Sequence, residues 1–230
     1  MLIDALADRC LTPHISNNEQ LLREGVDPHR IRLTGSTLSE ALLSILPDHT
    51  DREHVLNDLG LTRAGFVLVT VHRVENVDRA DRLEAILTQL AQLDLPVVLP
   101  LHPRTRQRAE TFGLSELLDQ LVVIDPLGYR EFVALAAECA LLISDSGGVQ
   151  EEATILKRPV LVIRSSTERP EILGTFAHLV EVGPEIGAKV KELTADLERT
   201  HRFLESVPYP YGENATARCV AEITSLADGK

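Results

Sequence analysis

A parallel α/β sheet covered by helices is the fold this sequence predicts. From Gly65 on, short apolar runs alternate with helix-length segments as far as Val182, the mark of parallel strands joined by crossover helices. Within that alternation, Leu141–Ile143 and Pro159–Ile163 are continuous apolar runs bounded by turn residues, as strands buried on both faces are.

In chain order, Leu2–Pro13 reads as a short helix or strand, Asn18–Glu24 as a helix that Gly25 caps, and Arg30–Thr34 as a strand. Leu38–Leu46 is a second helix that stops before Pro47, and Asp48–Glu53 is a polar linker that marks a boundary. Phe66–Val71, Pro96–Pro100, Leu121–Ile124 and His178–Val182 are further strands. Helices are expected over Arg79–Leu93, Arg104–Phe112, Tyr129–Glu138, Glu185–Glu205 and Asn214–Leu226.

The stretch Leu141–Pro170 carries the chemistry. Ser146, Gly147 and Gly148 open a helix expected to begin near Val149, and free N–H groups in a first helical turn favour an anion. Glu151 and Glu152 are expected in that turn, one complementing the helix dipole while the other accepts hydrogen bonds from vicinal hydroxyls such as those of a ribose. Arg169 follows the next strand, at the edge where open α/β sheets bind ligands. Glycines also serve packing in such turns, so SGG alone is a weak signal.

A formal charge of −12 disfavours nucleic acid and anionic membranes as partners. An anionic substrate then needs a local basic pocket, for which Arg73, Arg104, Arg106, Arg164 and Arg169 lie at or near strand ends. No apolar run approaches membrane-spanning length and no secretory leader is read, so the expected address is cytoplasmic. Cys10, Cys139 and Cys219 are too few and scattered for a disulfide framework, and histidines at metal spacing are not found, so neither a metal nor a cofactor is expected. SDSGG does not meet the nucleophile-elbow pattern of a serine hydrolase.

Two strings are more specific. DSGGVQEEA (Asp145–Ala153) and TERPE (Thr167–Glu171) resemble the signature of the non-hydrolysing UDP-N-acetylglucosamine 2-epimerases. VTVHRVEN (Val69–Asn76), LHPRTR (Leu101–Arg106), DPLGYREF (Asp125–Phe132) and PYGENATARCV (Pro210–Val220) extend the likeness over nearly the whole chain. The resemblance implies a Rossmann-like domain forming one half of a glycosyltransferase-B-type two-domain fold. On that basis residues 1–47 are expected to be a remnant of a largely missing amino-terminal domain with its linker, 48–207 the UDP-binding domain, and 208–230 a helix crossing back. Ser36 stands where the family's turn usually has asparagine.

The resemblance also implies the chemistry. UDP is expelled from UDP-GlcNAc to leave a 2-acetamidoglucal, then added back to give UDP-ManNAc. His72 matches the histidine given a catalytic role; Arg73, Glu75 and Asn76 adjoin it to orient it or the ligand, with Arg73 and Glu75 expected as substrate contacts. Phe132 is implied near the uracil, Ser146, Gly147 and Gly148 at the phosphates, Glu152 at the ribose, Arg169 at the pyrophosphate and His102 as a second contact. The proton-transferring carboxylates belong to the amino-terminal domain, so the isolated chain is expected to bind UDP and epimerise poorly, as a homodimer or with a separate chain supplying that domain. The alternatives are a non-catalytic nucleotide-sugar-binding module, a hydrolysing epimerase and a glycosyltransferase of the same fold.

Overall fold

The computed structural model describes residues 2–228. The chain divides into two compact units, one drawn from residues up to Ile45 and from Tyr209 on, the other spanning Leu46–Pro208.

The first unit begins with α1 (Leu2–Leu6), β1 (Cys10–Thr12), α2 (Ile15–Arg23), β2 (Ile31–Leu33) and α3 (Leu38–Ile45). The two strands pair in parallel, with Cys10 opposite Ile31 and Thr12 opposite Leu33. Gly25, at φ +84°, closes α2 as expected, its N–H bonding Leu22 O.

The second unit holds α4 (His49–Asp58), β3 (Val67–Thr70), α5 (Val74–Val77), α6 (Ala80–Ala91), β4 (Val97–Pro100), α7 (Pro103–Thr111), α8 (Ser115–Leu118), β5 (Val122–Ile124), α9 (Tyr129–Glu138), β6 (Leu141–Ser144), α10 (Gly147–Leu156), β7 (Val160–Val162), β8 (Ala177–Leu179), α11 (Glu185–Thr194) and α12 (Leu197–Ser206). Its six strands form one parallel sheet in the order β5-β4-β3-β6-β7-β8. Successive strand residues point to opposite faces. Val67, Val69, Leu141 and Ile143 join one buried cluster with Leu83, Ile86, Leu87 and Leu90 of α6 and Ile186 and Val190 of α11, whereas Leu68 and Leu142 are buried outside that cluster. Burial on both faces explains the uninterrupted apolar runs of β3 and β6.

The structure corrects several boundaries. Asp48–Glu53 is no linker: Asp48 accepts from the N–H of Asp51 at 2.9 Å and starts α4, whose buried residue is Leu56. Its polar composition reflects a helix that is mostly solvated. Glu185–Glu205 is two helices, broken at Asp196 (φ −140°, ψ 77°), whose side chain caps α12 by accepting from Arg199 N at 3.0 Å. The last strand is Ala177–Leu179 rather than His178–Val182, and the single-turn helices α5 and α8 were too short to show periodicity. Cys10 and Cys139 are buried, and burial pushes the Cys139 thiol up to about 12.

α13 (Ala215–Ala227) returns to the first unit. Its start is fixed by Glu40, which accepts from Thr216 N at 2.9 Å and from the Thr216 hydroxyl. Arg218 Nε donates to Thr34 O at 2.6 Å, Ser36 N donates to Tyr211 O at 3.2 Å, and Glu222 faces Arg32 at 3.3 Å. Val220 and Ile223 on this helix stay exposed. Among the described residues no helix is long and apolar enough to cross a membrane.

Two histidines make the second unit acid-sensitive. His201 sits 2.8 Å from Ala140 O, and burial holds its pKa below the ordinary 6.5, as it does for His178. The unfolded imidazoles take up protons first, so stability is expected to fall as pH drops below about 6.5 and to stop falling for this reason once the folded rings titrate. Urea unfolding across that range checks this, with His201→Gln expected to flatten the decline; an unchanged slope would remove His201 from the account.

Candidate functional site

Strand order reverses between β3 and β6, and ligands of open α/β sheets bind at the carboxyl ends of strands flanking such a switch point. His72 lies two residues past β3 and Asp145 directly follows β6. The two strands are joined side to side by Thr70 Oγ1 and Ser144 Oγ, 2.7 Å apart.

Asp145 is fully buried and organises the loop after β3. Its carboxylate accepts from His72 N at 3.1 Å, Arg73 N at 2.9 Å and Asn76 Nδ2 at 3.0 Å, and lies 3.3 Å from His72 Nδ1. Asn76, also buried, donates to Ile163 O at 3.0 Å and accepts from Arg82, so the ends of β3, β6 and β7 are tied together. His102 reaches the same place from β4. Its Nδ1 accepts from Arg104 N at 3.2 Å, which caps α7, and its ring centre is 5.8 Å from that of His72.

α10 begins at Gly147, two residues earlier than expected, because Ser146 takes extended backbone angles as its N-cap and makes no side-chain cap. The first-turn N–H groups therefore rely on other partners. A Cβ at Gly148 would meet only Ser146 Oγ at 3.7 Å, so the backbone there is open to close approach, whereas one at Gly147 would meet Glu168 Oε2 at 3.3 Å.

The earlier helix start moves Glu151 and Glu152 into the second turn, so neither complements the dipole from the first turn. Both are buried. Adjacent helix residues diverge by about 100°, and the two carboxylates take different partners accordingly. Glu151 forms an ion pair with Arg169. Glu152 Oε1 accepts from the Tyr129 hydroxyl at 2.8 Å, while among the described residues Oε2 has no hydrogen-bond partner. Burial raises the pKa of Glu152 and, with Glu152 beside it, that of Tyr129. The segment carrying Arg169 is pinned to α10 through Thr167, whose hydroxyl donates to Gln150 and accepts from Arg169 N.

Most of the expected basic pocket is committed to carboxylates. Arg104 binds Asp78 through two nitrogens, Arg106 lies 3.7 Å from Asp125, and Arg164 pairs with Glu168 at 2.6 Å and with Glu75 at 3.7 Å. Arg73 presents an exposed side chain whose charge helps hold Glu168 below the usual carboxylate range, an effect led by Arg164. Phe132 is half-buried one turn beyond Tyr129 on α9. The structure thus brings His72, Arg73, His102 and the start of α10 to adjoining strand ends. Asp145 and Tyr129 escaped individual notice, although each stands inside a quoted motif; what marks them is contact across some 20 to 70 positions.

The chain is similar to known proteins in sequence and in fold. The sequence profile described as UDP-N-acetylglucosamine 2-epimerase covers residues 1–225. The UDP-N-acetylglucosamine 2-epimerase of Methanocaldococcus jannaschii is 32% identical over 235 residues, taking in 94% of this chain and 63% of that protein. Among solved structures, the UDP-GlcNAc 2-epimerase of Neisseria meningitidis bound to UDP-GlcNAc is 27% identical with a TM-score of 0.84, over 97% of this chain and 63% of its own. The S. aureus MnaA–UDP complex is 31% identical with a TM-score of 0.83, over 99% and 63%. The chain thus spans less than two thirds of the length of these relatives. With a family profile spanning almost all of it and a parallel sheet presenting these motifs at one edge, the chain belongs to the UDP-N-acetylglucosamine 2-epimerase family.

Proposed function

We propose that this chain carries the UDP-binding half of an enzyme that interconverts UDP-GlcNAc and UDP-ManNAc. The observation that carries the reading is Glu152, a buried carboxylate with one oxygen held by Tyr129 and the other without a partner among the described residues, one turn below the open backbone at Gly148. A ribose hydroxyl supplies the donor that Oε2 lacks, and a buried acceptor left unmade costs free energy.

Around that contact, Phe132 packs near the uracil and the amides at Ser146, Gly147 and Gly148 face the phosphates. Arg169, with Arg73, His102 and Glu75 at the neighbouring strand ends, serves the diphosphate and sugar. Carbon 2 has no adjacent carbonyl, so its proton is not acidic and direct abstraction is slow. When UDP leaves first, the sugar gains positive charge that makes the carbon-2 proton removable, giving the glucal; UDP adds back as a proton reaches carbon 2 from the other face, and fixed donors at the departing diphosphate lower the barrier by electrostatics. His72 is the acid–base group this chain contributes. The resemblance puts the proton-transferring carboxylates outside the matched motifs, so the 230-residue chain is expected to bind UDP and to epimerise slowly. A cytoplasmic enzyme, acting as a homodimer or with a second chain bringing the amino-terminal domain, belongs to the same reading.

Calorimetric titration of UDP tests it. Glu152→Ala and Arg169→Ala are each expected to lose a charge-assisted contact, about 1.5–3 kcal/mol, or at least about tenfold in affinity. A folded chain that takes up no UDP would end the proposal, and product analysis with UDP-GlcNAc separates a reversible epimerase from one that releases ManNAc.

A further inference from the structure

The contacts of Asp145 divide unevenly between its two oxygens. Oδ2 accepts from His72 N, Arg73 N and Asn76 Nδ2 at 2.9–3.1 Å, enough to staple the loop after β3. Oδ1 also meets His72 N, at 3.2 Å, and lies 3.3 Å from Nδ1 of the same residue. A staple needs one oxygen; the second addresses the imidazole. A carboxylate oxygen is an acceptor, so a proton on the imidazole nitrogen nearest it is favoured over a lone pair there.

We propose that Asp145 is a positioning residue that holds His72 in the Nδ1–H tautomer and turns Nε2 toward the nucleotide sugar. The inference rests on reading this site as a UDP-sugar site. With Nδ1–H committed to Asp145, Nε2 accepts in the neutral ring and donates in the protonated one. An aspartate behind an imidazole fixes its tautomer and orientation in the same way in catalytic triads. Asn76 belongs to the same device: held by Ile163 O and Arg82, it donates to Oδ2 and keeps the carboxylate from turning away from the ring.

The test uses the full chain labelled with 15N histidine. Two-bond proton–nitrogen correlation spectra distinguish the two neutral tautomers, and His72→Gln identifies the His72 signals. Wild type is expected to show His72 as Nδ1–H. In Asp145→Asn the amide oxygen can take the place of Oδ2 and keep the loop, while the NH2 group faces Nδ1 as a donor. His72 is then expected to switch to Nε2–H. An Nε2–H tautomer in wild type, or Nδ1–H persisting in Asp145→Asn, would overturn the proposal. Should Asp145→Asn not fold, the wild-type spectrum alone decides. Wild type showing Nδ1–H but no UDP binding would instead sink the nucleotide reading and leave the Asp–His pair standing.

Discussion

Replacing Glu138 by alanine is expected to lower the unfolding free energy by about 3–5 kcal/mol, the usual result of removing one member of a buried ion pair. Glu138 ends α9, where a negative charge opposes the helix dipole, and its side chain is only 3% exposed. Arginines overcome both penalties. Arg52 Nε donates to Oε1 at 2.6 Å from a largely buried position, and Arg158 donates to Ala137 O in the last turn of α9. Arg63 lies 2.7 Å from Oε2 but is 54% exposed and adds little. The loss therefore comes mainly from Arg52 left without its carboxylate between α4 and α9. Urea unfolding measures it, and adding Arg52→Ala should recover part of the loss; a drop near 1 kcal/mol, typical of a surface change, would show that water reaches the pair.

Gly35→Ala is expected to unfasten the first unit. Gly35 lies at φ +84°, where an L side chain costs about 1–2 kcal/mol. A Cβ there would come within 2.3 Å of Tyr211 O and 2.8 Å of Arg218 Nη2. The first is backbone, so relief means moving the chain from Tyr211 into α13, for which about 1–3 kcal/mol more is typical of overpacking. Hydrogen exchange reads the effect locally: amides of β1, β2 and α13 should lose protection while those of β3 and β6 keep theirs. Uniform loss across the chain would mean that the two units unfold together.

The sheet was legible because its strands are buried on both faces, so Val67–Thr70, Val97–Pro100 and Leu141–Ser144 announce themselves as apolar runs whatever the chain does between them. α4 was not, since a solvated helix with one buried leucine has the composition of a loop, and only the Asp48 cap distinguishes it. In the site the motifs held the right residues, but pairing was hidden. Glu151 and Glu152 are equivalent in sequence; the 100° step of the helix gives one to Arg169 and the other to Tyr129. Asp145 reads as part of a turn, and only the adjacency of β3 and β6 makes it a partner of His72.

The first unit is built from both sides of the second, and this bears on how the protein comes off the ribosome. Residues up to Ile45 emerge before the second unit, yet Glu40, Thr34, Arg9 and Arg32 meet Thr216, Arg218 and Glu222 only after residues 46–208 have been made. At about 5–20 residues per second the wait is on the order of 10–30 seconds. During it β1 and β2 form a two-stranded ribbon too small to hold itself together, without the contacts from α13. A synonymous change that slows translation within residues 46–208 therefore lengthens the time the first unit stays incomplete, without altering a single side chain.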